Sequence, residues 1–102
     1  MGFMKIVIIF QNSTTKVYIN QCHNPGRKTR FYTVRRDDYT GLANLVGVIK
    51  WDWGWRQYSF YPEPNTKWAD ECMINIAKFL TARTKEERLK WKRKAKQGAE
   101  KH

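Results

Sequence analysis

The sequence predicts an α+β fold: a small antiparallel sheet of four to five strands packed by a C-terminal helix that runs on into a basic helical tail. Three observations predict it. Short runs rich in Ile, Val, Phe, Tyr and Trp recur up to Tyr61, separated by turns that carry Asn, Gly or Pro. An apolar series at i, i+4 spacing follows the last proline. The end of the chain is helix-forming but mostly charged. With 102 residues there is room for one core and little room for a deep catalytic cleft. We read residues 1–83 as the α+β domain and residues 84–102 as a basic helical extension.

The strands follow in order. Phe3–Gln11 is a run of Ile, Val and Phe, too short to span a bilayer and without a cleavage-site pattern, so it is read as a buried strand of a protein that stays off membranes. Asn12-Ser13-Thr14-Thr15 is a turn cluster, and Lys16–Gln21 can pair back as a second strand. Asn24-Pro25-Gly26 is a strong turn signal ahead of a third strand, Arg30–Arg36. Asp37–Asn44 is a polar loop. Leu45–Trp51 and Trp55–Tyr61 form a hairpin around Asp52-Trp53-Gly54, because a three-residue connection ending in Gly suits the left-handed conformation. Pro62-Glu63-Pro64 ends it.

Asn65 or Thr66 is placed to cap the helix that follows. Trp68, Cys72, Ile76 and Leu80 recur every four residues, flanked by Ala69, Met73 and Ala77, which gives a stripe suited to lying on a sheet. Thr84-Lys85-Glu86-Glu87 has the form of a capping box, which either restarts a second helix or lies within one long helix. Beyond it Lys85–Lys96 has only Leu89, Trp91 and Ala95 as apolar residues and is expected to project from the domain.

A three-residue loop places Trp51 opposite Trp55 and Lys50 opposite Arg56. One face of the hairpin then carries Val46 and Val48 with Tyr58 and Phe60 toward the core. The other carries Gly47, Ile49 and Trp51 with Gln57 and Ser59 toward solvent. A slip of one residue exchanges these sets on one strand. Three Trp within five residues (Trp51, Trp53, Trp55) cannot all be buried at a turn. Indoles beside cations suit base stacking and phosphate pairing, and equally suit a protein-binding hot spot. Cross-strand Trp pairs also stabilise hairpins, so Trp51 and Trp55 have a structural explanation as well. Trp53, at the turn itself, points more to binding.

The run Ile49–Thr66, I-K-W-D-W-G-W-R-Q-Y-S-F-Y-P-E-P-N-T, resembles a segment that recurs in small uncharacterised bacteriophage and prophage proteins. There a strand ending I-K-W leads through a short turn into W-R-Q-Y-x-F-x-P and then a helix. The resemblance covers residues 49–80 and hardly touches residues 1–44. It implies a phage origin and the cytoplasm of a bacterial host as workplace. It carries no activity. The longer N-terminal part and the more basic tail depart from it.

Formal net charge is +11, and residues 83–102, with nine basic and three acidic groups, hold +6 of it. Charge of this kind speaks to partners rather than fold, with nucleic acid first and an acidic protein surface next. One basic cluster, Arg27, Lys28, Arg30, Arg35 and Arg36, flanks Phe31 and Tyr32. A second, Lys90, Lys92, Arg93, Lys94 and Lys96, adds salt-dependent attraction or, read blandly, a solvated helix face. Lys50 and Arg56 complete the candidate contacts around the tip. Cys22 and Cys72 are read as reduced thiols of a cytosolic protein, Cys72 in the core. Cys22-His23 with Cys72 matches no zinc-finger spacing, and Asp37-Asp38 suits a loop better than a metal. Neither metal nor cofactor is expected, and no acid/base constellation or phosphate-binding Gly loop indicates an enzyme. The leading expectation is a phage-type, non-catalytic protein that binds DNA or RNA. The rival is a protein-directed inhibitor of a bacterial defence complex, CRISPR or restriction. A homodimer through exposed strands is compatible with both.

Overall fold

A computed structural model describes residues 6–22, 26, 29–38 and 43–100, with side chains as far as Arg93. Phe3–Lys5, His23, Asn24-Pro25, Arg27, Lys28, the middle of the Asp37–Asn44 loop and the side chains of Lys94 and Lys96 lie outside the described residues. The fold is α+β. Five strands, β1 (Ile6–Gln11), β2 (Lys16–Cys22), β3 (Phe31–Asp37), β4 (Ala43–Asp52) and β5 (Gln57–Pro62), form an antiparallel meander in sequence order. One helix, α1 (Asp70–Glu100), crosses a single face of it. Among the described residues no helix is long and apolar enough to cross a membrane.

The turns follow their residue types. Asn12 accepts the backbone N–H groups of Thr14 at 2.9 Å and Thr15 at 2.7 Å through Oδ1, which closes the β1–β2 connection. Two bulges then shape the sheet. Ile8 pairs with Tyr18 and Phe10 with Val17, leaving Ile9 as the extra residue of β1. Val34 pairs with Gly47 and Arg35 with Leu45, leaving Val46 as the extra residue of β4. Each bulge puts two successive residues on the helix side, Ile9 with Phe10 and Val46 with Gly47.

The β4–β5 register differs from the expected one. Trp51 pairs with Tyr58, Ile49 with Phe60 and Lys50 with Ser59, so the loop is Trp53–Arg56, four residues rather than three. Arg56, with φ of 53°, takes the left-handed position that Gly54 was expected to fill. The odd slip reverses β4: Gly47, Ile49 and Trp51 are buried, while Val48 and Lys50 face away from the helix. Tyr58 and Phe60 keep their expected core side. Lys50 therefore never opposes Arg56, and the anticipated like-charge pair does not exist.

The helix also starts later than its cap signals suggest. The Thr66 hydroxyl donates to the Glu63 carbonyl at 2.7 Å and accepts from the Trp68 indole at 2.8 Å, while Asn65 is left-handed at φ 62°. These residues build the turn before the helix. The helix begins at Asp70, whose carboxylate accepts from the Glu71 N–H at 2.9 Å, and both acids suit its N-terminal dipole.

The buried side of α1 is Cys72, Ile76, Thr84 and Glu87, joined by half-buried Phe79, Leu80 and Trp91. Ala69, Met73 and Ala77 face solvent instead of flanking the core. The stripe drifts because its later positions, Thr84 and Glu87, are polar and escape an apolar count. There is no break at Thr84, and the chain from 84 to 91 packs on the sheet rather than projecting from it. Thr84 is no cap: its Oγ1 accepts the Tyr58 N–H at 3.0 Å, a β5 edge group that no strand covers.

Gly47 is demanded by packing. A Cβ there would lie 2.8 Å from Phe60 Cζ and 3.1 Å from the Tyr61 carbonyl oxygen. Phe60 is itself held edge-on by Trp68 at 5.0 Å. Gly47→Ala is expected to destabilise the protein by about 1–3 kcal/mol, the usual cost of overpacking. Urea unfolding followed by circular dichroism measures it. An unchanged midpoint would mean that the Phe60 ring moves aside freely.

Candidate functional site

The hairpin tip is built by four side chains. Asp52 Oδ1 accepts the N–H groups of Gly54 at 2.9 Å and Trp55 at 3.2 Å, and Oδ2 accepts the Tyr61 hydroxyl at 3.3 Å. Arg88 of α1 donates from Nε at 3.2 Å and Nη2 at 2.9 Å to the Arg56 carbonyl. Trp91, one turn further on, lies 5.0 Å from Trp51 edge-on and 5.6 Å from Trp53 in a parallel stack, 10° between planes. Trp51 closes the group against Tyr58 at 5.2 Å.

The three indoles of the tip thus have separate fates. Trp51 is core, 6% exposed. Trp53 rests one face on Trp91 and remains 61% exposed. Trp55 is 73% exposed and touches no other ring among the described residues. The cross-strand Trp51–Trp55 pair expected from the shorter loop is absent, because Trp55 belongs to the turn.

Cations gather around this tip. Lys50, Arg56, Arg88, Lys92 and Arg93 are exposed, and Arg30 reaches the same end of the sheet through β3. Lys50 Nζ sits 4.7 Å above the Tyr61 ring. A hollow of about 370 Å³ opens between Arg30, Phe31, Lys50, Asp52, Trp53 and Tyr61. Three acids compensate in part. Asp52 is engaged by the turn, Glu86 lies 3.9 Å from Arg30, and buried Glu87 lies 4.0 Å from Lys90 Nζ.

The first basic cluster does not form one surface. Arg30 stands at the tip end of β3, whereas Arg35 and Arg36 stand at the far end, about 20 Å away by strand rise. Arg36 is on the helix side, where its Nε donates to Asp38 at 3.0 Å; Arg35 is on the other face. Arg30, Arg35 and Arg36 therefore do not share one end and one face of the sheet. Arg27 and Lys28 cannot be located, as they fall outside the described residues. The tail contributes Lys92 and Arg93 beside Trp91, while Lys90 leans to Glu87.

The two cysteines are free and lie on different layers, Cys22 at the end of β2 and Cys72 inside the core. Burial pushes the Cys72 thiol up. Arg88, Trp91 and Asp52 were not singled out from sequence. The usable signals were an aspartate two residues before a glycine and a lone tryptophan in a charged helix. No protein-family model, no curated protein and no solved structure matches the chain.

Tyr58 ties the tip to the core and gives a pH test. Its hydroxyl accepts the Arg30 N–H at 3.0 Å, and burial pushes it up to about 12. A raised tyrosine stabilises the fold fully below the unfolded value near pH 10, and that stability is lost as pH rises toward about 12. The loss should be on the order of 2–3 kcal/mol. Urea midpoints across this range should fall more steeply in the parent than in Tyr58→Phe; parallel curves would acquit Tyr58.

Proposed function

We propose that the chain is a small, non-catalytic, phage-type protein that binds nucleic acid, and that it works in the cytoplasm of a bacterial host. The observation that carries this reading is the tip itself. Two indoles, Trp53 and Trp55, are held open to solvent on a turn fixed by Asp52 and Arg88, with Arg30, Lys50, Arg56, Lys92 and Arg93 around them. Exposed indoles stack on bases of any sequence, and the cations neutralise phosphate. The net charge of +11 adds long-range attraction. The phage-like segment 49–66 includes the turn with Lys50, Trp53, Trp55 and Arg56, which supports the origin and the workplace.

The test is binding of labelled DNA and RNA oligonucleotides by fluorescence anisotropy across a salt series. Affinity should fall linearly on a log–log plot, with a slope of roughly −0.7 to −0.9 per phosphate contact. Trp53→Ala and Trp55→Ala should each weaken binding by about 1–3 kcal/mol without changing that slope. Absence of binding at low salt would end this reading.

One observation favours a second reading, a protein-directed inhibitor of a host CRISPR or restriction complex. On the edge strand β1, Ile6, Val7 and Ile8 are 59%, 40% and 52% exposed. An apolar edge of this kind suits strand addition by another protein. Under this reading Ile6→Lys and Ile8→Lys abolish co-purification of one defined host complex, while nucleic-acid binding is absent or unaltered. A complex that survives both changes, and Trp53→Ala as well, would count against it.

A further inference from the structure

The sheet has a second face that the helix never covers. The described part of α1 binds both edge strands, so the sheet curls toward it and its other face is convex. Strand alternation and register place Tyr18, Phe31 and Tyr61 on that outer face with Lys16, Arg35 and Lys50. Each ring has a cation beside it. Lys16 Nζ stands 5.6 Å from the Tyr18 ring centre, and Arg35 pairs directly across from Tyr18. Lys50 pairs across from Phe31 and lies 4.7 Å above Tyr61. The hollow of about 370 Å³ joins this face to the tip, since Phe31, Lys50 and Tyr61 line it together with Trp53.

We infer that this helix-free face is a binding track for single-stranded nucleic acid, leading from Tyr18 and Arg35 to the hollow beneath Trp53. The inference rests on the nucleic-acid reading and narrows its substrate to an unpaired strand. Rings set among strands on a convex sheet can reach base faces only when the bases are splayed out, and a duplex hides those faces. A rigid double helix touches a convex surface along a narrow line, whereas a flexible strand can follow its curve. The lysines are arranged for exchange: each ammonium now resting on a ring can move to a phosphate as a base takes its place. From Tyr18 on β2 to Tyr61 on β5 the track crosses three strand spacings, about 14 Å, and two residues along the strands, about 7 Å, so it spans roughly 16 Å, the scale of a few nucleotides. Two acids accompany these cations: Asp37 lies across from Lys16 at the far end, and Asp52, beside the hollow, is bonded to the turn, so the stretch from Arg35 to Lys50 is the cationic part of the track.

The experiment uses the full chain and fluorescence anisotropy with labelled oligothymidylate and oligouridylate of ~12 nucleotides, and a mixed-sequence duplex of the same length. The single strands are expected to bind at least about tenfold more tightly than the duplex. Tyr18→Ala and Phe31→Ala should each weaken single-strand binding by about tenfold and leave duplex binding and the salt slope unchanged. Tyr18→Phe keeps the ring and should restore affinity, which separates stacking from any loss of folding. Equal affinity for single strand and duplex overturns the inference. So does wild-type single-strand binding by Tyr18→Ala and Phe31→Ala, as expected if the face instead docks a protein; loss in Trp55→Ala alone would then leave the nucleic-acid reading standing at the tip. If no nucleic acid binds, both fail together.

Discussion

The fold is organised by one helix that bonds to both edges of the sheet. A five-stranded meander ends in two edge strands whose outward backbone groups have no strand partner. On the β1 side the Asn75 amide donates to the Ile9 carbonyl at 2.8 Å, at the bulge. On the β5 side Thr84 accepts from Tyr58, and Arg88 donates to the carbonyl of Arg56 in the adjoining turn. Asn75, Thr84 and Arg88 of α1 thus satisfy edge and turn groups, of which the buried Tyr58 N–H would otherwise cost about 1 kcal/mol or more. This constraint explains why the core-facing side of α1 is less apolar than its length suggests. It also accounts for the curl: reaching both edges with one helix bends the sheet around it and leaves the outer face without helix cover.

The tip depends on the same helix. A four-residue turn with a non-glycine residue in the left-handed region is held here from two directions. Asp52 binds its N–H groups from the strand, and Arg88 binds its carbonyl from the helix. Trp91 then makes the support continuous, since it meets buried Trp51 edge-on and exposed Trp53 face-on. Residues that look like a solvated, basic extension in sequence are therefore the buttress of the hairpin. Their charge is placed beside the indoles by helix spacing, with Arg88 and Lys92 four residues apart on the flank of Trp91.

Much of the architecture was legible. Apolar runs and turn residues located all five strands within a few positions, because alternating β-branched and aromatic residues bounded by Asn, Gly and Pro leave few other options. Register was not legible. Gly54 offered itself for the left-handed position, and nothing in the sequence announced that Arg56 would take it, since the compensating contact comes from Arg88, thirty-two residues away. That single difference turned β4 over and moved Trp51 from the exposed set to the core. The two bulges were equally silent, each a local fit of one extra residue. Of the candidate residues, Trp53, Trp55 and Lys50 lie together at one end of the sheet. The arginines of β3 do not, because composition records a cluster where a strand separates its two ends.

Hairpin stability alone does not account for the tip. Were the tryptophans there for cross-strand packing, Trp55 would pair with Trp51, and burial of both would supply the stabilisation. Instead Tyr58 takes that place opposite Trp51, and Trp91 completes the packing from the helix. Trp53 leans on Trp51 and Trp91 with part of its surface, Trp55 meets no ring among the described residues, and together they present most of two indole surfaces to solvent. Exposed indoles add little to the fold by burial, which leaves their placement beside cations to be accounted for. The outer sheet face poses the same question with Tyr18, Phe31 and Tyr61, and both surfaces meet at the hollow shared by Lys50 and Trp53. Rings and cations of the tip and of the outer face therefore meet at one hollow, in front of a core packed by Trp51, Tyr58 and Trp91.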